Sequence, residues 1–195
     1  MSVYDEAIER FQTLFAEAVE AGLPDPTAVT LATAWEDGRP SARTVLLKGV
    51  DRDGFVFYTN RRSRKGRQLQ VNPSAALCIL WYPLGAQVLV EGEAHSVSDA
   101  EADAYFASRP RLSQIGAWAS QQSEPLSDRE ELDRRVEEVQ RRFEGQDIPR
   151  PPHWSGYRLV PTMIEFWRAG DGRLHDRERY ERQFDDSWRH LWLNP

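Results

Sequence analysis

Ala28-Val29-Thr30-Leu31-Ala32-Thr33-Ala34-Trp35-Glu36-Asp37-Gly38-Arg39-Pro40-Ser41-Ala42-Arg43-Thr44-Val45-Leu46-Leu47-Lys48-Gly49-Val50 is the stretch that decides the fold. Two runs rich in β-branched and apolar residues, 28–35 and 41–50, flank Glu36-Asp37-Gly38, a hairpin signal. An antiparallel pair is expected. In the second run, alternation sends Arg43, Val45 and Leu47 to one face and Thr44, Leu46 and Lys48 to the other. Cations at both ends of an apolar strand need anionic partners if they are buried. Ordinary strand-end charges, left in water, need none.

On the N-terminal side, residues 3–21 read as an amphipathic helix. Phe11, Leu14, Phe15 and Val19 recur at helical spacing, and Gly22-Leu23-Pro24 ends it. On the C-terminal side, residues 55–59 form a third strand after the turn Asp51-Arg52-Asp53-Gly54. Ser63 caps a short helix to about Val71, stopped by Asn72-Pro73. Longer strands follow at 75–81 and 87–97, around Pro83-Leu84-Gly85. Ser98-Asp99-Ala100-Glu101 has capping-box spacing and opens a helix to about Ser108, with another beginning across Pro110. Ser127-Asp128-Arg129-Glu130 repeats that signature, and its helix carries Leu132, Val136, Val139 and Phe143 on one face. Ile148-Pro149-Arg150-Pro151-Pro152 is a stiff connection too short to link domains. Segments 157–159, 163–167, 173–180 and 187–191 complete the strands. The chain reads as one α+β domain over 1–195: an N-terminal helix (1–22), then an antiparallel, barrel-like sheet with surrounding helices (28–195).

Composition excludes several classes. A length of 195 residues suits one domain with a sizeable core, and 40% hydrophobic residues with seven tryptophans suit a folded globule. A net charge of −6 argues against nonspecific nucleic-acid binding. The single cysteine, Cys78, excludes an intrachain disulfide, and its apolar run 75–80 marks it as a small core residue. His95, His153, His175 and His190 are scattered, so no zinc site is expected. There is no Gly-rich dinucleotide turn, Walker-type loop or nucleophile elbow. No stretch resembles a signal peptide or reaches membrane-spanning length, so a cytoplasmic protein without a membrane partner is expected.

Three further segments carry chemistry. Arg61-Arg62-Ser63-Arg64-Lys65-Gly66-Arg67 is the densest basic run of an acidic protein. It follows Tyr58-Thr59-Asn60 at a strand-to-helix junction, where free amides and the helix dipole favour an anion. A phosphate held by Thr59, Ser63, Arg64 and Lys65 suits it better than a solvated helix face or a nucleic-acid patch, because no aromatics interleave. Tyr105, Arg109 and Ser113, spaced by four, offer a small phosphate clamp; a helix-end salt bridge with an N-cap is the structural alternative. In Arg173-Leu174-His175-Asp176-Arg177 an extended backbone would put Arg173, His175 and Arg177 on one face. That row suits an anionic planar ligand, as it also suits a charged edge strand. The chain thus reads as holding two phosphate-bearing or anionic groups without a Rossmann fold or P-loop, a description that a flavin mononucleotide plus a small phosphorylated substrate would meet.

Together these residues resemble the pyridoxine/pyridoxamine 5′-phosphate oxidase family. The likeness runs through Arg43–Lys48, Phe57-Tyr58-Thr59-Asn60, Ser63-Arg64-Lys65, Gln87 and Tyr105-Phe106-Ala107-Ser108-Arg109-Pro110-Arg111. It continues in Ser113-Gln114-Ile115-Gly116-Ala117-Trp118, Gln122-Ser123, Ile164-Glu165-Phe166-Trp167 and Arg173–Arg177, in order from about Leu14 to Pro195. The resemblance implies a homodimeric, antiparallel split β-barrel with FMN at the subunit interface. It assigns Arg43, Thr44, Val45, Leu46, Leu47, Lys48, Tyr58, Thr59, Arg64 and Lys65 to the FMN site, with Arg64 and Lys65 on the phosphate. Gln87, Gln122, Ser123, Trp167 and Arg177 would complete it, partly from the second subunit. Lys48, Tyr105, Arg109 and Ser113 would clamp the substrate phosphate, and Arg173, Leu174 and His175 would lie at the pyridine ring, Arg173 and His175 as catalytic residues.

The implied activity is that of a pyridoxal 5′-phosphate synthase, in vitamin B6 cofactor synthesis or salvage. The substrate's C4′ gives a hydride to the flavin, an imine from the amine is hydrolysed to aldehyde, and dioxygen reoxidises the flavin to give hydrogen peroxide. Related split-barrel flavin oxidoreductases and non-catalytic flavin-binding proteins are the alternatives. Family members often carry a longer basic N-terminal arm that covers the substrate, and Met1-Ser2-Val3-Tyr4 offers none.

Overall fold

The computed structural model describes residues 1–195. Its strands are β1 (Ala28–Ala34), β2 (Pro40–Asp51), β3 (Gly54–Asn60), β4 (Ser74–Trp81), β5 (Ala86–Ser96), β6 (Trp154–Arg168), β7 (Asp176–Arg182) and β8 (Trp188–Trp192). All pair antiparallel in the order β3-β2-β1-β4-β5-β6-β7-β8. A further pairing of β3 with β6 closes the first six into a barrel and leaves β7 and β8 as an extension. The expected α+β split barrel is the observed fold.

Period-two patterning fills the barrel. Val45 and Leu47 of β2 point inward with Leu77, Ile79 and Trp81 of β4, Val88 and Val90 of β5, and Ile164 and Phe166 of β6. Helix α1 (Val3–Glu20) covers this core with Ala7, Ile8, Phe11, Leu14 and Ala18, and Phe11 meets the edge of Phe55 at 5.0 Å. Each such large side chain contributes about 1.5–3 kcal/mol on burial. A Ser2/Asp5 capping box starts α1; Gly22, at φ +67°, turns the chain out as Leu23 N–H donates to Ala18 O. A second core of Phe106, Ile115, Phe143, Ile148 and Trp154 lies beneath α3 (Asp99–Ser108), α4 (Arg111–Ala119) and α5 (Arg129–Arg142). Helix α2 (Arg64–Val71) follows β3. No helix is long and apolar enough to cross a membrane.

Four details differ from the sequence reading. Segments 157–159 and 163–167 belong to the single strand β6, which runs through Pro161. Proline is tolerated there because β6 leaves β3 at Leu159 and takes up β7 at Met163, and its register with β5 shifts at Glu91/Gly92. Gly92 allows that approach, since a Cβ on it would lie 2.0 Å from Val160 O. Second, β7 starts at Asp176, and Arg173 sits in a 3-10 turn at φ +65°. Strand alternation therefore does not place Arg173 beside His175 and Arg177. Third, Asp128, not Ser127, caps α5, because Glu131 rather than Glu130 stands three residues on and donates its N–H to Asp128. Fourth, Cys78 is half-buried on the outer face of β4, between the inward Leu77 and Ile79, with Sγ 3.6 Å from Gln87 Oε1.

Candidate active site

The end of β3 and the start of α2 build the first half of the site. Ser63 accepts from Gly66 N–H at 3.3 Å and donates to Asn60 O at 2.7 Å, which folds the basic run tightly onto the strand end. Gly66 is required by that turn, because a Cβ would meet Arg61 O at 2.3 Å. The turn sends Lys65 inward to 8% exposure, where its Nζ donates to Thr59 Oγ1 at 3.2 Å and has no carboxylate partner. Burial, and then the charge of Arg43, push its pKa down to about 8. Arg43 donates to Leu31 O at 3.2 Å, Thr33 Oγ1 at 2.6 Å, Gln68 Oε1 at 3.2 Å and Ser41 Oγ, all neutral acceptors. Burial and Arg64 lower its pKa too.

Two adjacent cavities open here, the first of them onto Lys65. One, of about 390 Å³, is lined by Thr44, Val45, Tyr58, Thr59, Asn60, Lys65, Ser120 and Gln122 among others. The other, of about 340 Å³, is lined by Leu46, Lys48, Tyr105, Ser108 and Pro110. Tyr58, Arg109, Ser113 and Trp154 line both, and no carboxylate lines either. Tyr58 stacks on Tyr105 at 3.9 Å and on Trp154 at 5.4 Å, and Gly156 makes room for it, since a Cβ there would lie 2.7 Å from the Tyr58 ring. The Arg109 guanidinium lies 4.7 Å over Trp154, with Nη1 buried and without a hydrogen-bond partner. Burial lowers its pKa.

Of the residues assigned to FMN, Thr44, Val45, Tyr58, Thr59, Lys65 and Gln122 line the first cavity, Leu46 and Lys48 line the second, and Arg43 lines neither. Lys48, Tyr105, Arg109 and Ser113, assigned to the substrate phosphate, line the second cavity together. Leu47 is spent on the barrel core, and its N–H donates to Thr27 O. Arg64 and Ser123 are exposed at the rim, where Arg64 N–H donates to Ser123 Oγ at 3.1 Å and Ser123 is held at φ +75°.

Gln87, Trp167, Arg173, Leu174, His175 and Arg177 lie elsewhere and line neither cavity. Gln87, Trp167 and Arg177 are cross-strand neighbours on the outer face of β5, β6 and β7. His175 packs on Trp167 at 4.6 Å, and its Nδ1 accepts from Gly170 N–H at 3.2 Å. Arg177 is the one basic site candidate with a carboxylate partner. It reaches Glu165 Oε1 through Nε at 2.9 Å and Nη2 at 2.7 Å, and Arg179 binds Oε2. Burial alone would raise the Glu165 carboxyl; Arg179 and Arg177 outweigh it and hold it below the usual range.

Sequence reasoning missed Glu165, Trp154 and Gln68. Glu165 carried a signal, a lone carboxylate in the apolar run 163–167. Gln68, fully buried and accepting from Thr33, Ser41 and Arg43, carried none.

An unpaired buried amine, an unpartnered buried guanidinium nitrogen and carboxylate-free walls fit phosphate groups, so the donor set fits a phosphorylated flavin. The fold matches PhzG from Burkholderia lata 383, solved with tetrahydrophenazine-1-carboxylic acid, at TM-score 0.92 and 36% identity, covering 100% of this chain and 97% of that one. It also matches a pyridoxamine 5′-phosphate oxidase-related FMN-binding protein from Nostoc punctiforme at TM-score 0.75 and 20% identity, covering 95% of this chain and 97% of that one. Family profiles described as pyridoxamine 5′-phosphate oxidase and pyridoxine 5′-phosphate oxidase C-terminal dimerisation region match residues 15–143 and 154–195. Fold, site and profiles define a split-barrel flavoprotein oxidoreductase. The pyridoxine/pyridoxamine 5′-phosphate oxidase of Myxococcus xanthus DK1622 is 58% identical, covering 97% of this chain and 92% of its own length. That of Alkalilimnicola ehrlichii is 55% identical and is covered, like this chain, over 100% of its length. The chain belongs to the pyridoxine/pyridoxamine 5′-phosphate oxidase family.

Proposed function

We propose that the protein is a cytoplasmic, FMN-dependent pyridoxal 5′-phosphate synthase. It oxidises pyridoxamine or pyridoxine 5′-phosphate with dioxygen, yielding pyridoxal 5′-phosphate and hydrogen peroxide. The observation that carries this reading is the pair of adjacent, carboxylate-free cavities that share Arg109 and hold the uncompensated Lys65. One accepts the FMN phosphate, on Lys65 and Thr59 with Arg43 and Arg64 nearby. The other accepts the substrate phosphate, on Lys48, Tyr105, Arg109 and Ser113. Bound FMN supplies the two-electron acceptor that the protein's side chains lack. Anchoring the substrate by its phosphate makes the position of its reacting carbon reproducible.

Arg173 and His175 set the pose of the pyridine ring. Because His175 Nδ1 accepts from Gly170, the neutral ring carries its proton on Nε2, which is then a donor for the substrate. These residues come from the second subunit of a homodimer. Trp167 stands eleven residues along β6 from Gly156, the partner of Tyr58, which is about 35 Å of strand. That is too far for one chain to surround a small ligand from both ends. The strip from Gln87 to Arg177 lies largely within the region that matches the dimerisation profile, residues 154–195.

The purified protein should be yellow, with a flavin spectrum, and should form aldehyde and peroxide from pyridoxamine 5′-phosphate. The PhzG likeness motivates a second reading, oxidation of a different anionic ring compound. A flavin-loaded protein that ignores pyridoxamine 5′-phosphate but oxidises a ring carboxylic acid would establish that reading instead.

A further inference from the structure

Two arginines among the candidate site residues, Arg177 and Arg109, are held in opposite ways. Arg177 is fixed by Glu165, which spends Nε and Nη2 in an ion pair shared with Arg179. Arg109 has no ion pair; its guanidinium lies 4.7 Å over the face of Trp154 and 5.6 Å from the Phe106 ring centre. An aromatic face attracts a guanidinium through its quadrupole and takes none of its N–H donors. Nη1 is accordingly buried yet unspent.

Trp154 is itself fixed on several sides. It is 6% exposed, pairs with Asn60 at the start of β6, and meets the edge of Phe106 at 5.1 Å. Its carbonyl accepts from Arg150 Nη1 at 2.8 Å, and Arg150 is tied to Asp99 and Asp103 of α3. The indole is therefore a rigid shelf, lining both cavities beside Arg109.

We infer that Trp154 is a positioning residue: it holds Arg109 by its ring face so that the guanidinium keeps full charge and a free Nη1 for the substrate phosphate. The inference rests on the proposed function, because it takes a phosphorylated substrate in the second cavity. In this role Trp154 acts on the substrate through Arg109, so its loss should appear in substrate binding rather than in the chemical step.

The test is a double-mutant cycle on the FMN-loaded protein with Trp154→Leu, Arg109→Gln and the pair. It measures the Kd of pyridoxal 5′-phosphate together with kcat and KM for pyridoxamine 5′-phosphate. Trp154→Leu should weaken binding about thirtyfold, the size of a desolvated cation–π contact, with the loss showing in KM rather than in kcat. In the Arg109→Gln background the same change should cost nothing more. Trp154→Phe, which keeps a ring and the core, should recover much of the binding; it replaces Trp154→Leu in the cycle if the latter does not fold. Additive losses, or a fall in kcat with KM unchanged, overturn the inference and leave the proposed function standing. A wild-type protein that binds FMN but not pyridoxal 5′-phosphate overturns both.

Discussion

Lys65 links the fold, the cofactor and pH in one experiment. Its amine is buried without a carboxylate, and its pKa falls from the ordinary 10.5 to about 8. The depressed value means that the unfolded chain binds more protons than the folded one between about pH 8 and 10.5, so the cofactor-free protein gains stability as pH rises through that window. At neutral pH the charged amine opposes folding by roughly 3 kcal/mol at most. An FMN phosphate, with its second pKa near 6, is fully dianionic above neutrality and supplies the missing charge. Affinity then follows the protonated fraction of Lys65 in the free protein. It should fall about tenfold between pH 7 and pH 9, since a group with a pKa near 8 goes from about nine-tenths to about one-tenth protonated.

The assay is a titration of cofactor-free protein with FMN at pH 7, 8 and 9, followed by quenching of flavin fluorescence. Lys65→Met should weaken FMN binding at pH 7 and abolish this pH dependence, while making the cofactor-free protein more stable, because an apolar chain replaces an uncompensated buried charge. A wild-type affinity that is flat from pH 7 to 9, or a pH dependence that survives in Lys65→Met, would refute the reasoning.

Glu165→Gln should destabilise the protein by about 3 kcal/mol in urea unfolding, because it leaves Arg177 and Arg179 over a neutral group. The wild-type carboxyl is held below its usual pKa of 4.5, so the stability it adds is present above that value and is lost as pH falls beneath it; the variant should unfold less steeply with acid. Pyridoxamine lacking its phosphate leaves Arg109 Nη1 buried and unpaired, and should show kcat/KM reduced about a hundredfold or more in the peroxide assay. Arg173→Ala should lower turnover and substrate affinity while FMN stays bound; unchanged kinetics would remove Arg173 from its assigned role.

Much of the barrel was legible because its signals are local. The 28–50 hairpin shows in the alternation of Val45 and Leu47 with Thr44 and Leu46, and the structure keeps those faces. The β3–β6 closure was not legible, since no local pattern couples Tyr58 to Gly156 across about a hundred residues. Pro161 hid the continuity of β6, because a proline reads as a break unless the exchange of partners around it is known. At the site, Lys65 and Arg109 stood out as residue types, but only the fold shows that neither has a carboxylate partner. Gln68 and Trp154 act through other side chains, and such support carries no pattern of its own. Arg173 was misplaced by strand alternation, which cannot anticipate the left-handed pair Gly172 and Arg173.

The central claim is that one catalytic site draws on two chains: the phosphate cavities of one, and the Arg173–Arg177 segment of its partner. Arg109→Gln and Arg173→Ala proteins, each impaired alone, can be unfolded together, refolded with FMN and assayed for pyridoxal 5′-phosphate formation. Random pairing in a two-fold dimer makes half the dimers mixed, and each mixed dimer restores one site of two, so activity should return to about a quarter of wild type. A mixture no more active than its two components would contradict the account, because it would place both residues in a site built from one chain.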